Sequence, residues 1–129
     1  MAVALAVPFM LVTLAVSSPP QFAGLRRATT CIPGPVTDAG RSSRYVLTWP
    51  AAHDDRTPSS RIVYDVYQAT ISHGEHFRAP TYTTRPGVTS FATPALPDDS
   101  SYYFVVRARD ASGRRDANTV ERRAMNLCV

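Results

Sequence analysis

The sequence has little that favours helices and nothing that gathers positive charge in one place. No stretch of ten or more residues keeps an apolar stripe at helical spacing, which argues against a helical fold. Lysine is absent, so all 14 basic residues are arginines, and acids lie between most of them. A nucleic-acid-binding chain gathers its cations on one element. Despite the net charge of +4, the sequence therefore predicts no nucleic-acid partner.

Motifs for catalysis and metal binding are also missing. Ser59–Ser60 and Ser100–Ser101 lie in predicted turns and lack the Gly-x-Ser-x-Gly pattern that exposes a nucleophile. The segment His73–His76 has the spacing His-x-x-His in a glycine-containing connection, not the helical His-Glu-x-x-His of a zinc site. We interpret it as a solvated loop. The sequence thus predicts no catalytic residue, no metal site and no cofactor.

The chain begins with an apolar segment, Met1–Val16, that is shorter than the roughly 20 residues a helix needs to cross a bilayer. Small residues at 15 and 17 suit a signal-peptidase site, and polar, proline-rich sequence follows. We therefore predict a signal peptide over 1–17 and an exported domain over 18–129, without an integral membrane domain once the signal is cleaved. An uncleaved anchor stays open, because no Lys or Arg precedes the segment. A buried N-terminal strand or helix is the other alternative.

After residue 17 the apolar residues alternate in short runs, which is the period of half-buried strands. Three runs are clear, and their inward faces are predicted to hold Tyr45, Leu47 and Trp49, then Ile62, Tyr64 and Val66, then Tyr102, Phe104, Val106 and Ala108. Four weaker strands are predicted at Phe22–Thr30, Phe77–Thr84, Thr89–Leu96 and Thr119–Met125. Seven short strands separated by turns predict an all-β sandwich.

An ordered set of short motifs covers nearly all of 19–129. The motifs are Phe22–Leu25, Leu47–Trp49, Asp54–Pro58, Tyr64–Tyr67, Pro86–Phe91, Leu96–Pro97, Tyr102–Asp110 and Gly113–Glu121. In this order they resemble a bacterial fibronectin type III domain. The resemblance implies a seven-stranded immunoglobulin-like sandwich, in which strands A, B and E face strands C, C′, F and G.

The resemblance also assigns core residues. They are Trp49, Tyr64, Leu96, Tyr102 and Phe104. Tyr102 falls at the position of the tyrosine corner, where the hydroxyl group bonds a nearby backbone group. We regard these residues as structural and give them no role in binding.

The two cysteines, Cys31 and Cys128, follow the first predicted strand and close the last. In the fold that the resemblance implies, both positions lie at one pole, so we predict a disulfide between them. It would close a loop of about a hundred residues and stabilise the fold by roughly 4–5 kcal/mol in the chain-entropy model. The alternative is a pair of free thiols, as in a reducing cytosol.

A candidate binding patch lies on the outward faces of the third and sixth predicted strands and on the hairpin tip after the sixth. Its residues are Tyr67, Tyr103, Arg107, Arg109, Arg114 and Arg115. Exposed tyrosines beside arginines are typical of binding surfaces. The alternative is ordinary cross-strand pairing, in which Asp65 faces an arginine and the rings cover the sheet.

These features together predict a secreted or cell-surface module, extracellular or periplasmic, that binds or adheres without catalysing a reaction. Its partner is expected to be a protein or glycan at the cell surface, and the chain is expected to be a monomer. One alternative is an accessory or linker module of a secreted polysaccharide-degrading enzyme. Another is a structural envelope protein that self-associates through an exposed sheet edge.

Overall fold

The computed structural model describes residues 2–8 and 18–126. These residues form nine β-strands and one short 3₁₀ helix, Ser59–Arg61. The strands are β1 (Arg27–Pro33), β2 (Ser42–Thr48), β3 (Val63–Ala69), β4 (Tyr82–Thr83), β5 (Ser90–Ala92), β6 (Leu96–Pro97), β7 (Tyr103–Arg109), β8 (Arg122–Arg123) and β9 (Met125–Asn126).

The strands form two sheets. The first has the order β5-β2-β1-β9, with β6 also paired to β2, and the second has the order β4-β3-β7-β8. All pairs are antiparallel except β1 with β9, which is parallel. The predicted all-β class with two sheets is confirmed.

The core lies between the two sheets, where alternate residues of the longer strands point. Tyr45 of the first sheet packs on Phe104 of the second, with ring centroids 6.4 Å apart. Trp49, just after β2, packs on Tyr64 of β3 at 5.1 Å. The five residues that the sequence assigns to the core are all buried, as are the inward faces of the three clear strands. Burial of these apolar side chains is the main source of stability in such a fold.

Tyr102 anchors the chain just before β7 to the backbone of β6. Its hydroxyl group donates a hydrogen bond to the carbonyl oxygen of Pro97 over 2.6 Å, which confirms the backbone bond expected at this position. Tyr64 is anchored in a different way, because its hydroxyl oxygen accepts from the N–H of Ala52 at 2.9 Å. Buried tyrosines of this kind combine an apolar ring with one satisfied polar atom.

The weaker predicted strands are shorter than expected or divided. The first begins at Arg27 rather than Phe22, because the backbone leaves the extended conformation at Gly24, whose φ is +87°. The run predicted over 89–96 divides into β5 and β6 around Pro94, which has no N–H for a ladder. The run predicted over 119–125 divides into β8 and β9, since the chain passes from the second sheet to the first at Ala124.

Two predictions, the signal peptide and the disulfide, fall partly on residues outside those that the structure describes. Met1 and residues 9–17 of the predicted signal peptide lie outside the described residues, and residues 2–8 are exposed and form no regular secondary structure. Cys128 also lies outside them, so its disulfide with Cys31 stays a prediction. Across 2–8 and 18–126, no helix has the length and apolar character needed to span a bilayer.

Candidate functional site

A buried carboxylate lies at the centre of the outer face of the second sheet. The side chain of Asp65 in β3 points away from the core, yet Asp65 is 0% exposed to solvent. Its oxygens accept hydrogen bonds from Arg109 Nε at 3.0 Å, Arg109 Nη2 at 3.3 Å, Arg115 Nε at 2.6 Å and Thr83 Oγ1 at 2.9 Å. Burial acts to raise the pKa of Asp65, but the bonds from Arg109, Thr83 and Arg115 outweigh it and leave the pKa below its ordinary value. Asp65 is therefore held as a carboxylate between two guanidinium groups.

The β7–β8 connection places Arg115 beside Asp65. After β7 the carboxylate of Asp110 accepts from the backbone N–H groups of Ser112 at 3.0 Å and Arg114 at 2.8 Å. Gly113, with φ of +88°, completes the reversal that brings Arg115 opposite Arg109. Aspartate followed by glycine in this spacing is ordinary turn chemistry. The sequence therefore folds locally into a tight hairpin with Arg115 on the outer face.

A second aspartate fixes the far side of the same hairpin. Asp116 accepts from the backbone N–H of Ala108 at 2.5 Å and from that of Asn118 at 3.0 Å. Its carboxylate is thus used inside the connection rather than presented to solvent. The hairpin also meets the β2–β3 connection, because the N–H of Ala111 donates to Thr57 Oγ1 at 3.1 Å. The β7–β8 and β2–β3 connections therefore lie side by side.

Arg107 is fixed by stacking as well as by hydrogen bonds. Its guanidinium carbon lies 3.7 Å from the centroid of the Phe77 ring and 5.8 Å from that of Tyr67. Its Nε atom donates to the carbonyl oxygen of Asn118 at 2.9 Å, and Nη2 donates to that of Ala117 at 3.5 Å. The side chain therefore has a defined position on the outer face.

Tyr67 is buried, which corrects the prediction that it is exposed in the binding patch. It is only 1% exposed, because Phe77 of the β3–β4 connection packs edge-on against its ring at 5.1 Å. Its hydroxyl group is buried and has no hydrogen-bond partner among the described residues. Burial accordingly raises the pKa of Tyr67. Tyr67 is part of a small apolar cluster on the outer face and not a contact residue.

The structure brings three of the six predicted patch residues together. Arg109 and Arg115 share Asp65, and Arg107 lies two residues before Arg109 on the same face of β7. Arg114 is next to Arg115 in the hairpin and is half-buried. Tyr103, also half-buried, lies at the other end of β7, opposite Ala69 and Arg123.

We refer to Arg107, Arg109, Arg114 and Arg115 as the arginine face. The side chains of Arg109 and Arg115 are 31% and 33% exposed, whereas Asp65 is fully buried beneath them. Guanidinium groups that are held in place and partly exposed suit the recognition of carboxylate or phosphate groups. The predicted alternative, in which Asp65 faces an arginine across the strands, is confirmed, but the full burial of Asp65 and its bond to Arg115 were not predicted. The available signal was a carboxylate at an outward position of β3 that faces a β7 carrying two outward arginines.

A second polar cluster joins the β3–β4 connection to the segment before β8. Glu121 accepts hydrogen bonds from Ser72 Oγ at 2.7 Å and from the backbone N–H of His73 at 2.6 Å. His73 has a φ of +62°, a left-handed conformation that is uncommon outside glycine. Burial, together with a hydrogen bond to Glu121, raises the pKa of Glu75 to about 7. The carboxyl group of Glu75 is therefore protonated below about pH 7, and we refer to Ser72, His73, Glu75 and Glu121 as the acid clasp.

The acid clasp does not have the geometry of a nucleophile with its base. Ser72 Oγ lies 2.8 Å from His73 Nδ1, but the hydroxyl hydrogen is directed to Glu121. The same Nδ1 atom lies 3.8 Å from Glu121, and among the described residues no separate group orients the ring for proton removal. Over 2–8 and 18–126, no three His, Cys, Asp or Glu side chains are grouped to hold a metal ion. The acid clasp is a set of hydrogen bonds that joins the β3–β4 connection to the segment before β8.

Comparison of the chain with family models, with curated proteins and with solved structures finds no match. The function must therefore be inferred from the chemistry of the arginine face and the acid clasp.

Proposed function

We propose that this chain is a secreted, non-catalytic binding module of the fibronectin type III kind, and that its binding surface is the arginine face. The observation that carries the proposal is the pair of guanidinium groups of Arg109 and Arg115 on the buried carboxylate of Asp65. A surface whose cations are already fixed loses little side-chain entropy when a partner arrives.

The strand arrangement supports the type of module. Under this proposal β1, β2 and β5 correspond to strands A, B and E, and β3, β4, β7 and β8 to C, C′, F and G, while β6 and β9 have no counterpart among the seven predicted strands. The hydrogen bond from Tyr102 to Pro97 fits the tyrosine corner of such domains. We therefore keep the fibronectin type III resemblance as part of the proposal.

The arginine face also fits the role of an accessory module in a secreted polysaccharide-degrading enzyme. In that case the same residues would hold an acidic glycan without cleaving it. Self-association through a sheet edge is less favoured. Within the residues that the structure describes, the outer strands β4, β6, β8 and β9 have two residues each and β5 has three, so these edges offer few unpaired backbone groups.

The proposal is tested by capture of partners from the cell surface and the medium. The exported full chain, carrying an affinity tag and kept under oxidising conditions, is compared with its Arg107→Lys and Arg26→Ala variants. Arg26 is an exposed residue next to β1 of the other sheet, so its variant is the matched control. We expect one set of captured molecules that is retained by Arg26→Ala and depleted by Arg107→Lys. Equal capture by all three proteins, or none, would contradict the proposal.

A further inference from the structure

The acids around the arginine face are hidden, and its arginines reach solvent. Asp65, Asp110 and Asp116 are all buried and bonded within the fold. The four arginines are each partly exposed. Four arginines and three aspartates give the region a net charge of only +1. Because the aspartates are buried, the groups that a partner meets are the hydrogen-bond donors of the arginines. A partner for this surface must therefore supply anionic acceptors.

The guanidinium groups of Arg107, Arg109 and Arg115 each have N–H donors left for such a partner. Arg109 uses Nε and Nη2 on Asp65, Arg115 uses Nε on Asp65, and Arg107 uses Nε and Nη2 on backbone carbonyls. Their remaining terminal N–H groups have no partner in the part of the chain that the structure describes. Because Arg109 and Arg115 bond the same oxygen of Asp65, their guanidinium groups are neighbours and can hold one carboxylate together.

The spacing of these donors matches an extended polypeptide. Arg107 and Arg109 lie two residues apart on one face of β7, which is about 6.6–6.8 Å along a strand. Side chains at alternate positions of an extended partner repeat at the same distance. A carboxylate at one position would meet Arg109 and Arg115, and a carboxylate two residues away would meet Arg107.

The aromatic rings of this surface favour a peptide over a sugar ring. Sugar rings pack on open aromatic faces, but Tyr67 is buried and Phe77 is covered by the guanidinium group of Arg107 at 3.7 Å. The surface therefore offers a row of fixed hydrogen-bond donors and little exposed aromatic area on which a sugar ring could pack.

We infer that the arginine face binds an extended acidic segment of a partner protein, with carboxylates at alternate positions on Arg107 and on the pair Arg109 and Arg115. This inference rests on the proposed binding function and names the partner of the same surface.

The test uses fluorescence anisotropy with the full chain and labelled synthetic peptides of about ten residues, roughly 33 Å when extended. The first peptide alternates Glu with Thr. The second has the same composition with Glu in adjacent pairs, and the third replaces every Glu by Gln. An acidic glycan probe, oligogalacturonate, is measured beside them. We expect the alternating peptide to bind at least about threefold more tightly than the paired one, and the Gln peptide to bind about tenfold more weakly or not at all.

Variants connect binding to the named residues. Arg115→Lys keeps a cation on Asp65 but loses the planar fork, so we expect about fivefold weaker binding of the alternating peptide with little change in Tm. Arg26→Ala should bind as the wild type does. If Arg115→Lys lowers the Tm strongly, Arg107→Lys is measured instead, because Arg107 has no bond to Asp65.

The outcomes separate this inference from the proposed function. Equal affinity for alternating and paired peptides, or no effect of the lysine variants, would overturn the inference. Tighter binding of oligogalacturonate that is lost in the lysine variants would also overturn it, and would leave a glycan-binding module. If no probe binds but partner capture still depends on Arg107, the inference fails and the proposed function stands. If neither is observed, both fail.

Discussion

Arg115 Nε lies 2.6 Å from Oδ2 of Asp65, although the two residues are 50 positions apart in the sequence. The bond joins the hairpin after β7 to the middle of β3 and helps to cover a carboxylate that would otherwise be exposed. Much of the stability of the outer face should therefore depend on a charge that no solvent reaches.

Asp65 and Arg115 should be energetically coupled. Arg115→Met leaves Asp65 buried with fewer donors, so we expect the free energy of unfolding to fall by about 2 kcal/mol, less than for a fully buried pair because Arg115 is a third exposed. The double variant Asp65→Leu with Arg115→Met also removes the acceptor of Arg109, so we expect its loss to be smaller than the sum of the two single losses. Urea unfolding of the single and double variants measures both quantities. Simple additivity of the two single losses would argue against a coupled pair.

Loss of the hydroxyl group should lower the free energy of unfolding at Tyr102 but not at Tyr67. Tyr102→Phe removes the hydrogen bond to Pro97 and should lower the free energy of unfolding by about 1 kcal/mol. Tyr67→Phe removes a buried hydroxyl group that has no partner among the described residues, so it should be neutral or slightly stabilising. Thermal unfolding of the two variants, side by side, checks this. A clear loss for Tyr67→Phe would show that its hydroxyl group is satisfied after all.

The acid clasp should make stability depend on pH between about 4.5 and 7. The pKa of Glu75 is raised from 4.5 to about 7 in the folded chain, so its protonated form stabilises the fold. That contribution is fully present below pH 4.5 and is lost as the pH rises through about 7. The pKa of Glu121 is shifted down instead, so its own contribution is lost only in more acidic solution. We expect the Tm of the wild type to fall as the pH rises through this interval.

The Glu75→Gln variant is the control for the clasp. Its amide can still donate a hydrogen bond to Glu121 but cannot titrate, so this part of the pH dependence should disappear. A wild-type Tm that stays constant from pH 5 to pH 8, or an identical slope in Glu75→Gln, would contradict the raised pKa of Glu75.

The predicted disulfide can be tested on the chain purified under oxidising conditions. Thr30, next to Cys31, pairs with Asn126, which precedes Cys128 by two residues in the sequence. We expect thiol-labelling reagents to react only after reduction, and reduction to lower the free energy of unfolding by up to about 4–5 kcal/mol. Two labelled cysteines before reduction would refute the pairing.

The inward faces of the long strands could be predicted because alternation alone determines them. Tyr45, Leu47 and Trp49 occupy one side of a strand whatever the partner sheet looks like, and they are buried. The bond of Tyr102, which spans only five residues, was expected from the fibronectin type III resemblance and not from the strand pattern. These features need no knowledge of distant segments.

The outer face could not be predicted in the same way. Tyr67 and Asp65 occupy outward positions, where exposure is expected, but Phe77 of the β3–β4 connection and Arg115 of the β7–β8 connection cover them. The division of the last predicted strand at Ala124 is also a tertiary effect, because its two halves pair with different sheets. Such contacts depend on how loops fold back, which no local pattern encodes.

The parallel pairing of β9 with β1 has a mechanical consequence. A load applied through the segment before β1 and the segment after β9 would pull these two strands in opposite directions along their axes. The hydrogen bonds that hold Thr29 beside Met125 and Thr30 beside Asn126 run across that direction, so they would be strained together and not peeled one by one. A domain anchored at both ends would thus meet tension in shear at its terminal strands.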